Sequence, residues 1–445
     1  MIFFNTSRRY YLNGIDWVMA ALDRINIKHT GLGNHSQLVL VLKGYLDKKN
    51  LTNKLSKNLS NSAFLRGKTK RAWHLAPYWV SEQQNFDPED IRFFKLESNN
   101  QIIENNLNEI IQDCARTPFK DDKTLLGFDL IHSNNSTYLI MRFNHRMFDA
   151  RGAEAFLGYL LDEQKSDEQY TLPSQGAQLN LWKSRFLSGQ RINRFLRSIY
   201  SKETQVVQIN DQSDASKSES NNSHCFHCFT FSEKQTSTID ENAIKKAGYL
   251  MNGIYILSCV TKSFDSLFKK RNSQGNILIP INVDVRETKF STAKIFFNNV
   301  SFMLFNVKQG LSITDYIISF KTQFIDQIKN KIPYHFINAS LLMRIMPLKI
   351  LSFFMNFRMR KKPCSFSFSY ISEQAFNLKS VQNFEVLNLF HMPLVPVNPG
   401  IGVFFTRFNK KINMVISSFD NNLSKKDGKY LQEEIISRIT FRPNQ

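Results

Sequence analysis

The stretch Asn144-His145-Arg146-Met147-Phe148-Asp149-Ala150-Arg151-Gly152 concentrates side chains that can move protons. His145 directly follows Thr137-Tyr138-Leu139-Ile140-Met141-Arg142-Phe143, a run that reads as a buried strand. A histidine there sits at a strand end, where its imidazole can face a cleft. Near neutral pH such a ring can take a proton from a hydroxyl or amine nucleophile. Asp149, just before a helical pattern, could orient the loop that holds the ring, and no other histidine of the chain has an aspartate at this spacing. The spacing leaves a plainer alternative open, in which Asp149 only caps the next helix and His145 is a loop histidine.

The elements around this stretch form two halves. In the first, Ile15 to Ile25 is helical, Leu38-Val39-Leu40-Val41-Leu42 is a strand ending at Gly44, Ile102 to Ile111 is a helix and Leu125 to Ile131 a strand. Ala153 to Leu161, with Ala155, Phe156, Tyr159 and Leu160 at helical spacing, follows the histidine loop. The segment 201–223 is Ser/Asn/Asp-rich and reads as a linker or loop, so we expect an N-terminal lobe over 1–200 and a C-terminal lobe over 224–445. The second half shows a strand at Cys225 to Phe231, helices at Gln235 to Lys246 and Met251 to Phe268, and a strand at Ile277 to Val283. A helix is predicted over Thr314 to Lys331, with Ile317, Phe320, Phe324 and Ile328 on one face and Pro333 stopping it. Gly402 to Phe408 and Ile412 to Ser418, joined at Asn409-Lys410-Lys411, predict a hairpin. Helices and strands mix in both halves, so the fold class is α/β or α+β with two lobes.

Composition narrows the function. The 445 residues are 42% apolar and 22% charged, a core-forming balance, and 58 Lys+Arg against 38 Asp+Glu give a net charge of +20. Such a charge attracts polyanions. The basic residues are scattered in small clusters such as Arg66-Gly67-Lys68-Thr69-Lys70-Arg71 and carry no zinc-finger, RNP or basic-heptad pattern, so no nucleic-acid partner is expected. Five cysteines fit a reducing, cytoplasmic compartment rather than a disulfide scaffold. Arginines 8 and 9 precede any apolar run of signal-peptide length, so no export signal is expected. The apolar stretch Leu341 to Phe357 is broken by Arg344, Pro347 and Lys349 and is no membrane span. The wider segment from Ile337 to Lys362, with Arg358, Arg360, Lys361 and Lys362 at its end, fits either peripheral contact with an anionic membrane or a core helix ending in a basic loop. The 39 phenylalanines fit a greasy tunnel or a phenylalanine-rich core. His224-Cys225-Phe226-His227-Cys228 has ligand-like residues, yet Cys114, Cys259 and Cys364 are scattered, so no metal site is expected. Gly31-Leu32-Gly33 lacks the spacing and lysine of a phosphate loop.

HxxxDxxG at His145, Asp149 and Gly152, after a strand and before a helix, resembles the active-site motif of the chloramphenicol-acetyltransferase-like acyltransferases. That superfamily includes the condensation domains of nonribosomal peptide synthetases, wax ester synthase/diacylglycerol acyltransferases and the plant BAHD enzymes. Other segments resemble it in order. Leu12-Asn13-Gly14-Ile15-Asp16 leading to Leu40-Val41-Leu42-Lys43-Gly44 is similar to the first helix and strand. Pro280-Ile281-Asn282-Val283-Asp284-Val285-Arg286 and Asn298-Asn299-Val300-Ser301 resemble second-lobe segments, and Ser365 to Tyr370 sits where relatives carry a short serine-containing strand.

The resemblance implies a V-shaped pair of lobes with a tunnel between them and His145 at its middle. It implies that His145 is the general base activating an acceptor that attacks an acyl thioester, that Asp149 is structural and pairs with Arg286, and that Gly152 shapes the loop. Ser369, or else Ser367, would be an oxyanion or substrate contact, and Asn144, standing where many relatives have a first histidine, another; ordinary strand alternation is the other reading of both serines. Ala150 replaces the usual glycine after the aspartate. The expected activity is acyl transfer from acyl-coenzyme A or a phosphopantetheinyl thioester on an acyl carrier protein to a small amine or alcohol, with no bound cofactor. The alternatives are a membrane-associated wax ester or triacylglycerol synthase, against which Ser369-Tyr370-Ile371-Ser372 departs from the segment of those enzymes, and a non-catalytic condensation-like binding module.

Overall fold

Asn13 and Asp16 fix where the first helix begins: each side chain accepts from the other's backbone N–H, a reciprocal cap, and Gly31 closes the far end in the left-handed region. The computed structural model describes residues 9–441 apart from 60–64, 66, 82–90, 97–99, 134, 162–180, 201–204, 210–223, 287–294, 362, 373–379 and 382. The first part runs β1 (Tyr10–Tyr11), α1 (Gly14–Thr30), β2 (His35–Lys43), α2 (Lys48–Leu59), β3 (Gly67–Arg71), β4 (Pro77–Ser81), β5 (Ile91–Lys95), α3 (Asn100–Arg116), β6 (Leu126–Ser133), β7 (Ser136–Asn144) and α4 (Ala150–Leu161). After α5 (Trp182–Ile199) come β8 (His224–Thr230), α6 (Glu233–Ala247), α7 (Asn252–Lys270), β9 (Asn276–Asp284), β10 (Val300–Lys308), α8 (Ile313–Lys329), α9 (Ile332–Met343) and α10 (Leu348–Lys361). The chain ends with β11 (Ser367–Ile371), β12 (Ser380–Val381), β13 (Phe384–Pro393), β14 (Ile401–Phe408), β15 (Lys411–Phe419) and α11 (Lys425–Thr440).

Two large mixed sheets organise these elements into two lobes, with strand orders β12-β13-β2-β7-β6-β5 and β10-β9-β11-β14-β15-β8. Leu139, Met141 and Phe143 of β7 pack with Phe156, Leu157 and Leu160 of α4 in the first core. Burying each such side chain stabilises the fold by roughly 1.5–3 kcal/mol. The second core sets Phe305, Phe366, Phe368, Val403 and Phe405 against Tyr255, Phe264, Phe320 and Leu431. A smaller cluster of Val39, Ile140, Phe226, Met392 and Val415 joins the two sheets.

The lobes are not simple halves of the sequence. β13 crosses back and pairs antiparallel with β2, His391 opposite Leu38, completing the first lobe's sheet from the second half of the chain. Of the polar segment 201–223, only residues 205–209 lie among the described ones; Val207 and Ile209 are buried in the second core, and the Gln205 carbonyl accepts from the Asn276 N–H.

The hairpin β14–β15 forms where expected, because Asn409 and Lys410 both take positive φ, the geometry of a two-residue turn between twisted strands. Pro333 does not stop a helix. α8 already ends at Lys329, Lys331 turns left-handed, and Pro333 sits in the first turn of α9, where its missing N–H costs nothing. Ile328 is exposed, so the apolar face of α8 ends before that residue. The described part of the segment from Ile337 to Lys362, residues 337–361, is two helices with Pro347 between them rather than one core helix; α10 buries only Leu351 and Ser352, and Arg358, Arg360 and Lys361 lie on the helix itself.

Candidate functional site

His145 leaves β7 at a sharp turn. Its backbone N–H donates to the Asn34 carbonyl (2.9 Å), while that of Asn144 donates to the Leu125 carbonyl (3.0 Å). Nδ1 lies 3.0 Å from the Phe148 carbonyl. A carbonyl only accepts, so this contact assigns the hydrogen to Nδ1 and leaves the Nε2 lone pair to receive a proton. The ring meets Phe143 edge-on at 5.5 Å. Burial pushes the imidazole below its ordinary value, against the Phe148 carbonyl and the Asp149 charge, which raise it. The ring is therefore neutral at pH 7 and competent as a base.

Asp149 both caps a helix and spans the two lobes. Its Oδ1 accepts the Gly152 N–H at 2.8 Å, which is an N-cap on α4. Both of its oxygens also accept from Arg286 Nη2, at 2.7 and 2.9 Å, and Oδ2 accepts the Asn299 N–H at 2.8 Å. Arg286 also donates to Asp284 at 3.1 Å. Burial opposes the Arg286 charge, and the two aspartates outweigh it and raise the pKa. One carboxylate therefore caps α4 and holds Arg286 at the same time. Gly152 is required for close approach, since a Cβ there would lie 2.3 Å from the Ile295 carbonyl oxygen. Ala150 is the first residue of α4 and does not take positive φ, so the position accommodates alanine without strain.

Residues 295–299 of the second lobe clasp the histidine loop. Phe297 donates its N–H to the Met147 carbonyl, and Asn298 Nδ2 donates to the His145 carbonyl at 2.7 Å. Asp16 Oδ1 accepts from the Asn298 backbone N–H (2.8 Å) and Nδ2 (3.2 Å), so α1 braces the same segment. Burial raises the Asp16 carboxyl to about 6 in spite of these hydrogen bonds. The sequence reading assigned Asp16 and Asn298 no role; the capping spacing of Asn13 and Asp16 marks a helix start, and nothing local signals a partner 282 residues away.

Other expected contacts fall elsewhere. Asn144 is buried: its amide donates to Asp23 Oδ1 (2.8 Å) and its oxygen accepts the Arg146 N–H (2.9 Å), bonds that shape the turn. Ser367 and Ser369 are half-buried on β11, alternating with Phe368, which enters the second core. Neither serine hydrogen-bonds His145 among the described residues. In β8, Cys225 is buried, Cys228 is exposed, and His224 Nε2 lies 3.3 Å from the Val395 carbonyl. Among the described residues no group of His, Cys, Asp and Glu has metal-binding geometry.

A cleft of about 870 Å³ opens beside this loop, with Asn144 and Arg146, the neighbours of His145, in its wall. Arg24, Lys28, Lys68 and Lys349 bring positive charge to it, and Asp121 and Asp122 also line it.

No protein-family model and no curated protein matches the chain. Solved structures do. The first condensation domain of the calcium-dependent antibiotic synthetase superposes with a TM-score of 0.70 at 11% identity, covering 98% of this chain and 96% of that one. A trichothecene 15-O-acetyltransferase from Fusarium sporotrichioides gives 0.67 at 12% identity over 98% and 95% of the two chains. The starter condensation domain of rhizomide synthetase, solved with a coenzyme A compound, gives 0.66 at 8% identity over 98% and 94%. At these identities the likeness establishes architecture, and over nearly its whole length the chain has the two-lobed α/β fold of condensation domains and chloramphenicol-acetyltransferase-like acyltransferases.

Proposed function

We propose that this protein is an acyltransferase with His145 as general base. The observation that carries the reading is the Nδ1 contact to the Phe148 carbonyl, which leaves Nε2 as a proton acceptor on a loop pinned across the lobes by Asp149 and Arg286. Nε2 takes the proton from an acceptor hydroxyl or amine as that atom attacks the carbonyl carbon of an acyl thioester. The new C–O or C–N bond forms, the C–S bond breaks, and the imidazolium returns its proton to the departing thiolate. Asp149, Arg286 and Gly152 hold the geometry and do not meet substrate.

The donor is acyl-coenzyme A or a phosphopantetheinyl thioester on an acidic acyl carrier protein, and the acceptor is a small amine or alcohol. The cations of the cleft beside His145 suit the phosphates that both donors carry. The cysteines are all unpaired, which fits a cytoplasmic setting. The test is thiol release from a panel of acyl-coenzyme A and acyl-carrier donors with pooled acceptors, comparing wild type with His145→Ala. Acceptor-dependent release that drops by about 10²–10⁴ in the variant supports the reading. Equal release from both proteins removes His145 from the chemistry, and carrier binding with no turnover in either makes the protein a binding module.

A further inference from the structure

α10 is the helix whose sequence and surroundings disagree most. Ile350, Phe353, Phe354 and Phe357 recur at helical spacing and are all exposed, Phe353 by 69%. Singly exposed apolar residues are ordinary, but four large ones on one helical stripe mark a binding surface. The helix has no acidic residue, Lys349 stands at its start and Arg358, Arg360 and Lys361 in its last turns. Lys361 Nζ lies 4.4 Å over the Phe357 ring, an ammonium laid along the apolar stripe. The stripe borders the 870 Å³ cleft: Lys349 and Phe353 line it together with Lys68 of β3. The β3–β4 turn is tied to the same corner, because Arg71 donates to the Ile345 and Met346 carbonyls that precede α10, and it carries Trp73, 89% exposed.

We propose that α10 and the β3–β4 turn dock on an anionic lipid surface, with the phenylalanines entering the headgroup boundary and the basic side chains pairing with lipid phosphates. Protruding aromatic side chains flanked by cations match a bilayer interface, into which bulky groups can sink. An acidic protein would meet the same cations, but the three exposed phenylalanines and Trp73 add apolar area that a headgroup boundary takes up and a charge-led contact leaves in water. The cleft, which shares Lys349 and Phe353 with the patch, then adjoins the membrane. Docking is read without turnover, so it stands or falls separately from the acyl-transfer reading.

The test is co-sedimentation of the full chain with vesicles of phosphatidylcholine alone and of phosphatidylcholine mixed with phosphatidylglycerol. The expected result is binding about tenfold or more tighter to the anionic vesicles, weakened by salt. The Phe353→Ser/Phe354→Ser double variant should lose about tenfold of that binding, and so should the Arg358→Gln/Arg360→Gln/Lys361→Gln triple variant. All the substituted side chains are exposed, and circular dichroism checks that both variants keep the fold. No vesicle binding by the wild type, equal binding to both vesicle types, or binding unchanged in both variants overturns the proposal. Preferential capture by an acidic carrier protein, with vesicles ignored, also overturns it and assigns the patch to a protein partner.

Discussion

Asp129 and Asp149 are both buried beneath arginines, and the company they keep differs. Asp129 lies on β6 directly opposite Arg92 of β5, and it also holds Arg142 of β7 at 2.7 Å. Its partners are sheet neighbours, and the cluster stays inside the first lobe. Asp149 holds an arginine 137 residues away, in the second lobe, while capping α4 and accepting the Asn299 N–H. A buried ion pair adds little net stability over a packed apolar group, but breaking one is costly because a charge is left behind. The first cluster therefore fixes a sheet. The second fixes the loop that presents His145, and its value lies in geometry.

Substitutions at the two clusters separate these roles. The largest effect belongs to the ring that the second cluster positions: His145→Ala should lower acyl transfer by about 10²–10⁴ while costing about 1 kcal/mol of stability, from the lost contact to Phe148. Thermal melts beside rate assays check this, and a variant that loses rate and stability together would make His145 a structural residue. Asp149→Ala should destabilise by about 3–5 kcal/mol and remove activity, because Gly152 and Asn299 lose their acceptor and Arg286 loses the carboxylate that ties it to the histidine loop. A double-mutant cycle with Arg286→Ala should return a coupling of about 1–3 kcal/mol. Asp129→Ala should cost a similar 3–5 kcal/mol, yet leave the rate per folded molecule unchanged. Equal rate losses at Asp129 and Asp149 would collapse the comparison.

Smaller effects sharpen it. Gly152→Ala pushes a methyl toward the Ile295 carbonyl and should destabilise by about 1–3 kcal/mol, measurable by urea unfolding. Because burial lowers the His145 pKa, the ring is deprotonated at pH 7 and loses its base form only on acidification. The acid limb of kcat/KM should therefore lie below the ordinary histidine value of 6.5. A limb above 6.5 would mean that the Asp149 charge outweighs burial.

Much of this site was legible in the residues themselves. A β-rich apolar run, a histidine at its end and an aspartate before a helical pattern gave β7, the turn and α4 in order, because each depends on local spacing. The two-residue turn at Asn409-Lys410 and the cap at Asn13 and Asp16 are local in the same way. Arg286 could be named only through resemblance, since no periodicity links it to Asp149. The partner of Asn144 was out of reach for a related reason: it is the last residue of β7, and the placement of Asp23 on α1 decides which group its amide meets.

What the sequence determined by itself are the elements and their chemistry: which segments repeat at strand or helix period, where caps and turns fall, and which ring can carry a proton. What only the tertiary structure decided are the long-range partners. β13 returns to pair with β2, Asn298 reaches both Asp16 and the His145 carbonyl, and α10 is left with its phenylalanines in the open. The physical reason is that backbone propensity and burial pattern act over a few residues. Strand pairing, charge pairing and exposure are instead set by whichever distant segment arrives alongside.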